Sequence, residues 1–230
     1  MSRTLPLLLT LACTTATGLL TTPPPASAAA PRNPVVFVHG YQGSANDMAT
    51  IRQTFLDAGY RPGDLYALDY PDTQTNETTA RQVATLVNTA LADTGRPKAD
   101  LIGYSMGSLS ARYYLKNLGG TGKIAHFASI AGVNHGTVTA YLCGAVTTDP
   151  ACPQMAPTSA FLTQLNADDE TPGETTKYAT WASRCDTVVI PITSARLDGA
   201  ANHWTRNCPD HTGTLRDPAV QAEVVALFRS

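Results

Sequence analysis

The chain has 230 residues, of which 43% are apolar and 15% charged, and its formal net charge is −2. This length is enough to bury a sizeable core, and the apolar content is too high for a disordered chain. With no basic surplus and no cluster of Lys or Arg, the sequence argues against a nucleic-acid binder.

The first 28 residues have the pattern of a secretory signal peptide. Arg3 is their one charged side chain, an apolar stretch follows, and three prolines then lead to small residues at 26–28. This pattern predicts cleavage after Ala28, with Ala30 as the alternative. A membrane anchor is disfavoured because the apolar stretch is short and breaks off at the prolines. We therefore expect a secreted, extracellular mature chain of residues 29–230 with no transmembrane anchor.

The mature chain would keep an even number of cysteines, which in an exported protein predicts two disulfides. The four are Cys143, Cys152, Cys185 and Cys208. Of the three possible pairings we favour the two local ones, Cys143–Cys152 and Cys185–Cys208. No C-x-x-C pair, metal-ligand cluster or phosphate-binding loop is visible, so we expect neither a metal nor a cofactor. Scattered carboxylates leave a structural calcium site open.

Beyond the leader, predicted strands alternate with predicted helices. The first strand is a continuous apolar run, as expected of a strand buried on both faces of a parallel sheet. Strands are predicted at 34–38, 64–70, 99–104, 124–131 and 178–183, helices at 46–59, 76–93, 105–118 and 218–228, and a short extended segment at 188–193. Residues 134–176, with four prolines, are expected to be irregular. The alternation predicts an α/β fold, a single domain with a mostly parallel, doubly wound sheet.

The chemistry begins at residues 103–107, which read Gly-Tyr-Ser-Met-Gly and fit the pattern G-x-S-x-G. The bare pattern is weak, but here it follows a predicted strand and opens a predicted helix. That is the setting of a nucleophile elbow, in which a strained turn projects the serine from the carboxyl end of the sheet. Ser105 is therefore the candidate nucleophile, and an ordinary tight turn is the disfavoured alternative.

A serine hydroxyl needs a base within hydrogen-bond reach, and in this fold the order along the chain is Ser, then Asp or Glu, then His. His211 lies just before the last helix, where the fold holds its base, and we favour it over His203, interpreted as structural. His126 falls inside a strand, so we expect it to be packed. His135 precedes the acid in sequence, and we expect it to be structural and to line the floor of the cleft.

The acid that orients the imidazole should follow the fifth strand. Asp186 fits that position, and Asp198 is the alternative, although its Asp-Gly pairing is typical of a turn. The favoured bridge between Cys185 and Cys208 would join the acid loop to the loop of the base. This coincidence supports both the pairing and the Ser-Asp-His set.

An acyl-transfer site also needs hydrogen-bond donors for the oxyanion. One is the backbone N–H of the residue after the nucleophile, here Met106. The other is expected from the loop after the first strand, residues 39–43, where Tyr41 N–H is the candidate.

Three stretches of the chain resemble the small secreted bacterial lipases of the α/β-hydrolase superfamily, the class 2 group. They are residues 34–43, which include Val-Val-Phe-Val-His-Gly at 35–40, the elbow and the helix after it at 103–120, and Ser-Ala-Arg-Leu-Asp-Gly-Ala at 194–200. The resemblance covers nearly the whole mature chain and is weakest over 134–176. One departure is Tyr104, where many relatives carry His.

The resemblance implies an α/β-hydrolase fold and hydrolysis of long-chain acylglycerol esters by a monomer at a lipid–water interface. It implies Ser105 as the nucleophile, Asp186 as the acid and His211 as the base. It also implies that the backbone N–H groups of Tyr41 and Met106 form the oxyanion hole. Two alternatives stay open: a secreted esterase of other preference, acting on short esters, phospholipids or polyesters, and a catalytically idle binding protein of the same fold.

Overall fold

Six parallel strands form one sheet in the part of the chain that the structure, a computed structural model, describes: residue 1, residues 32–71 and residues 73–230. The strands are β1 (Val35–Val38), β2 (Leu65–Leu68), β3 (Ala99–Tyr104), β4 (Ile124–Ile130), β5 (Lys177–Ala182) and β6 (Ala201–Trp204). Their order is β2-β1-β3-β4-β5-β6, and every neighbouring pair is parallel. The predicted fold class is confirmed. The predicted leader and its cleavage positions lie outside the described residues.

Helices cover both faces of this sheet. They are α1 (Ala49–Asp57), α2 (Asn76–Thr94), α3 (Gly107–Asn117), α4 (Ala140–Val146), α5 (Ala151–Gln154), α6 (Ala160–Leu165), α7 (His211–Arg216) and α8 (Pro218–Leu227). Short 3-10 turns lie at Ala45–Met48, Pro62–Asp64, Gly120–Gly122 and Ile192–Ala195. None of the helices in the described part of the chain has the length and apolar character that a bilayer crossing requires.

Strand β1 lies inside the sheet, between β2 and β3, and this position explains its unbroken apolar run. Val35 and Phe37 belong to the core cluster that includes side chains of α1 and α8. Val36 and Val38 belong to the opposite cluster, with side chains of α2 and α3. All four are fully buried, since successive side chains of a strand point to opposite faces and both faces are covered here. Residues Arg32–Ser230 form one compact unit around this sheet.

The structure corrects the interpretation of residues 134–176 as irregular. Helices α4, α5 and α6 lie there, but they span only 7, 4 and 6 residues. Helices this short carry too few turns to show an apolar period, and Pro153 lies within α5. The sequence pattern could not separate them from loop.

Two other local expectations are wrong. The segment predicted as extended at 188–193 belongs to no strand; it leads through Pro191 into the 3-10 turn Ile192–Ala195. Proline has no N–H to donate to a sheet ladder. His211 was expected on a loop, but it is the first residue of α7, whose N-cap Asp210 accepts a hydrogen bond from Gly213 N–H at 2.6 Å.

Candidate active site

Ser105 lies at the sharp turn between β3 and α3. Its φ of +52° is in the left-handed region, which a side chain with a Cβ rarely adopts. Its backbone N–H donates to Ile130 O at 3.0 Å, which holds the turn against the neighbouring strand. At Gly107 a Cβ would overlap the carbonyl oxygens of Val38 and His39, so the elbow requires glycine there. These contacts hold the strained turn, which places Ser105 at the carboxyl end of the sheet, as the motif predicts.

The structure brings Ser105, His211 and Asp186 together, although they come from distant parts of the chain. His211 Nε2 is 2.9 Å from Ser105 Oγ, and His211 Nδ1 is 2.7 Å from Asp186 Oδ2. A carboxylate accepts hydrogen bonds, so it favours the tautomer with the proton on Nδ1. That tautomer leaves Nε2 free to accept the serine proton.

The environment of Asp186 keeps it ionised. Burial alone would raise its pKa, but hydrogen bonds from the His211 imidazole and from backbone N–H groups outweigh that effect and hold the pKa below its usual range. The backbone donors are Val188 and Val189, at 2.8 and 2.9 Å from Oδ1. Both carboxylate oxygens are therefore engaged, one by the imidazole and one by the turn that carries the acid.

Two links tie the acid segment to the segment of the base. The disulfide Cys185–Cys208 has a Cα–Cα distance of 5.2 Å, and Ser183 Oγ donates to Pro209 O. The structure thus places this cysteine pair as the sequence interpretation favoured, directly beside Asp186. The second disulfide, Cys143–Cys152, closes the loop between α4 and α5.

The loop after β1 folds back as a tight turn beside the serine. Gly43 N–H donates to Gly40 O at 3.2 Å, and Gln42 has a φ of +54°. The fully buried His39 contacts Gly40 O through Nδ1 at 2.8 Å. Tyr41 lies at the centre of this turn, within the wall of the cavity described below. Met106 is the N-cap of α3, at the end of the helix where backbone N–H groups have no partner within the helix.

A cavity of about 240 Å³ opens above Ser105. It is lined by Gly40, Tyr41, Tyr104, Ser105, Val133, Thr137, Thr139, Ala140, Cys143, Met155, Val188, His211 and Thr212. The nucleophile, the imidazole and the Tyr41 turn therefore share one space. The ring of Tyr104, the residue that departs from many relatives, lies 5.3 Å from the imidazole of His211, tilted by 34°.

Much of the cavity wall comes from the segment that was expected to be irregular. Thr137, Thr139, Ala140, Cys143 and Met155 belong to it. Apart from Cys143, they were not singled out in the sequence, because short elements and loops show no periodic pattern. The cysteine pair was the one sign that this segment is held in place.

The remaining histidines lie elsewhere in the structure. His203 stacks on Trp181 at 5.1 Å, and the buried His126 pairs with Asp100 at 2.7 Å. His126 is packed within β4, as expected. His203 lies on the edge strand β6, where one face of its ring stacks on Trp181 while the residue remains exposed.

His135 does not line the floor of the cavity, and that expectation is wrong. Its Nε2 is 2.6 Å from Glu170 Oε1, and it borders a separate surface depression together with Asp198. Asp198, the alternative acid, donates its backbone N–H to Glu170 at 2.8 Å, in a turn. The imidazole of His211 pairs with Asp186 and not with Asp198.

Among the described residues, no group of three or more His, Cys, Asp and Glu side chains is close enough to hold a metal ion.

Comparison with known proteins points to lipases. The family described as lipase (class 2) matches residues 32–205. This range contains Ser105 and Asp186 and ends before His211. The match spans three quarters of the chain, which is sufficient to assign the family.

Two solved structures have the same fold. Aspergillus fumigatus lipase B has a TM-score of 0.75 at 20% identity, over 86% of this chain and 53% of its own. Bacillus licheniformis lipase BlEst2 in its mature form has a TM-score of 0.71 at 17% identity, over 86% of this chain and 93% of its own. The chain thus spans about half the length of the fungal lipase. By the family match, with a fold that agrees, the chain belongs to the class 2 lipase family and has the α/β-hydrolase fold.

Proposed function

We propose that this protein is a secreted serine lipase that hydrolyses the carboxylic ester bonds of acylglycerols through an acyl-enzyme on Ser105. The observation that carries the proposal is the pair of contacts made by His211, 2.9 Å to Ser105 Oγ and 2.7 Å to Asp186 Oδ2. One imidazole between a serine hydroxyl and an ionised carboxylate is the arrangement that activates a serine.

Acylation begins when Ser105 Oγ attacks the carbonyl carbon of the ester. His211 Nε2 takes the serine proton, and the carbonyl oxygen becomes an oxyanion. Collapse of the tetrahedral intermediate breaks the bond to the alcohol, which leaves with the proton from His211. Asp186 stabilises the imidazolium that exists between these two transfers.

Deacylation repeats the sequence with water as the nucleophile. His211 takes a proton from water, the hydroxide oxygen attacks the acyl carbon, and the fatty acid leaves as Ser105 regains the proton. The backbone N–H groups of Tyr41 and Met106 stabilise the oxyanion in both halves. Loss of one such donor typically lowers kcat by about 10²–10³.

A lipid substrate is favoured by an exposed apolar surface beside the cavity. We call this surface the apolar rim; it consists of Val138, Tyr141, Leu142, Val146, Val188 and Ile190. The rim occupies two segments, 138–146 and 188–190, and both also contribute residues to the cavity wall. Apolar side chains clustered around a cleft are typical of contact with a lipid or protein surface. A soluble ester would need no such rim.

Secretion is supported by the leader pattern and by the two disulfides, Cys143–Cys152 and Cys185–Cys208. Disulfides persist in oxidising compartments outside the cytosol.

The experiment that tests the function uses the purified mature chain and Ser105→Ala. A fluorophosphonate probe should label the wild-type protein and leave the variant unlabelled. Rates are then measured on p-nitrophenyl esters from acetate to palmitate, with a triglyceride emulsion alongside. We expect hydrolysis of the emulsion by the wild type and none by the variant.

Other outcomes would replace the proposal. Hydrolysis confined to short soluble esters would make the protein a carboxylesterase. Preference for phospholipid or polyester substrates would make it a phospholipase or a polyester hydrolase. Absence of both labelling and turnover in a folded protein would favour the idle binding protein. Retained activity in a folded Ser105→Ala variant would remove Ser105 as the nucleophile.

A further inference from the structure

The side chain of Tyr41 links the turn after β1 to the loop between α4 and α5. Its hydroxyl donates to Asp149 Oδ2 at 2.7 Å, across 108 positions of sequence. No sequence pattern relates these two residues. The contact matters because the backbone of Tyr41 is the candidate oxyanion donor, while Asp149 belongs to the wall segment.

Asp149 is itself held firmly within its loop. Its backbone N–H donates to Thr147 Oγ1 at 3.1 Å, and its carbonyl accepts from Cys152 N–H at 3.2 Å. The disulfide Cys143–Cys152 closes the chain around it. With both backbone groups bonded and the loop cross-linked, the backbone that carries the carboxylate is held in place.

Helix α5, which follows this loop, is joined by hydrogen bonds to α2 and through it to α3. Gln154 Oε1, at the end of α5, accepts from Asn76 N–H at 2.7 Å and from its Nδ2 at 2.9 Å, and Gln154 Nε2 donates to Glu77 at 2.7 Å. Buried Asn76 in turn accepts from Ser110 Oγ at 2.8 Å. Ser110 lies on α3, the helix that begins just after Ser105. Helix α5, which follows the loop of Asp149, is therefore linked by hydrogen bonds through Asn76 to α3, the helix that follows the nucleophile.

The turn that carries Tyr41 needs such an anchor. Gln42, next to it, is held at positive φ, and a turn in a sparsely populated conformation persists only when its surroundings fix it. An oxyanion donor works when it is preorganised at 2.7–3.1 Å from the developing charge, and a misplacement of about 1 Å can cost roughly a hundredfold in rate.

We propose that Asp149 is a positioning residue for the oxyanion hole. By holding the Tyr41 hydroxyl it fixes the Tyr41 backbone N–H relative to Ser105. The inference rests on the proposed function, since it concerns the donor that stabilises the tetrahedral intermediate. It also gives the Cys143–Cys152 loop a part in the chemical step, in addition to its part in the cavity wall.

The test uses Tyr41→Phe, Asp149→Ala, the double variant and Asp149→Asn. The matched control is Tyr66→Phe, which removes another Tyr–Asp hydrogen bond, 3.3 Å to Asp93, on the exposed edge of the sheet. For each protein, kcat and KM are measured on p-nitrophenyl butyrate and on p-nitrophenyl palmitate, and melting temperature checks folding.

We expect Tyr41→Phe and Asp149→Ala each to lower kcat about tenfold, less than the loss of a whole donor, with KM within about twofold. The double variant should be no slower than the slower single variant, because both remove one interaction. Asp149→Asn, whose amide oxygen still accepts a hydroxyl proton, should restore most of the lost kcat. Tyr66→Phe should match the wild type.

Three results would overturn the inference: wild-type kcat in folded Tyr41→Phe, losses that multiply in the double variant, or a gain in kcat/KM on long-chain esters. A gain on long-chain esters would mean that the hydrogen bond between Tyr41 and Asp149 restricts entry of substrate to the cavity. These results are distinct from failure of the proposed function. In that case the wild type itself shows no turnover and no fluorophosphonate labelling.

Discussion

The apolar rim gives a prediction that can be worked through in numbers. Leu142 and Val146 on α4 are 73% and 85% exposed, which makes them the most exposed large apolar side chains described between residues 32 and 230. We consider the double variant Leu142→Ser, Val146→Ser. Both side chains face solvent, so the substitutions should change the free energy of unfolding by no more than about 0.5 kcal/mol.

The expected effect is on adsorption to lipid. Burying a whole Val or Leu side chain yields about 1.5–3 kcal/mol, so the exposed parts of the two together represent roughly 2–5 kcal/mol. If half of that surface enters the lipid layer, the variant should adsorb about 5- to 70-fold less tightly. The rate on a triglyceride emulsion at limiting surface should fall by a similar factor, because hydrolysis there requires adsorption first.

Adsorption is measured by co-sedimentation with triolein droplets, in a Ser105→Ala background so that the surface is not consumed. Rates are measured in the active background, on the emulsion and on dissolved p-nitrophenyl butyrate. Leu118→Ser is the matched control, since Leu118 is exposed at the far end of α3 from Ser105. Wild-type adsorption by the double variant, or an equal fall on the dissolved ester, would refute the reasoning.

The remaining predictions concern Asp186, the disulfide Cys185–Cys208 and the ion pair between His135 and Glu170. Asp186→Asn should lower kcat by about 10⁴, as the imidazole loses its orienting partner, while Asp198→Asn should change it little; steady-state kinetics showing the reverse ranking would move the acid. The double variant Cys185→Ser, Cys208→Ser should lower the free energy of unfolding, measured by denaturant titration, by about 3 kcal/mol. It should also lower kcat at temperatures where the variant stays folded. An unchanged kcat would mean that this disulfide does not position the base. The carboxylate of Glu170 raises the pKa of His135, so this pair stabilises the fold below the ordinary histidine pKa of roughly 6.5, and that contribution is lost as pH rises through the raised value. His135→Gln should therefore destabilise by under about 1 kcal/mol at pH 6, a figure discounted because the side chain is 40% exposed, and by less at higher pH; a constant difference across pH would contradict this.

Most of the fold was predictable because the longer strands and helices have clear apolar patterns. The candidate site was predictable because its functional groups follow a fixed order along the chain. Strand β3 was predicted with its observed bounds, Ala99–Tyr104, because all six residues are buried between helices and turn signals flank them. Ser105 was predicted from the G-x-S-x-G motif between a strand and a helix, and Asp186 and His211 from the order Ser, Asp, His along the chain, which reflects where parallel strands end.

What the sequence did not reveal depends on contacts between distant segments. The hydrogen bond from Tyr41 to Asp149 and the wall provided by Thr137 and Thr139 join short elements that have no period of their own. His135 was misplaced for a related reason: its position is decided by Glu170, which lies 35 residues further on, in a stretch that gave no structural signal.

The separation of 106 positions between Ser105 and His211 has a consequence for the order in which the enzyme matures. A chain that emerges with its amino terminus first carries β1 to β5 and the strained elbow well before it carries a base. At that stage the serine has no proton acceptor at hand, and α7 and α8 are still to come. On the proposed function, Ser105 therefore gains its base only when the carboxyl-terminal segment docks beside Asp186, and a chain that still lacks this segment would be inactive.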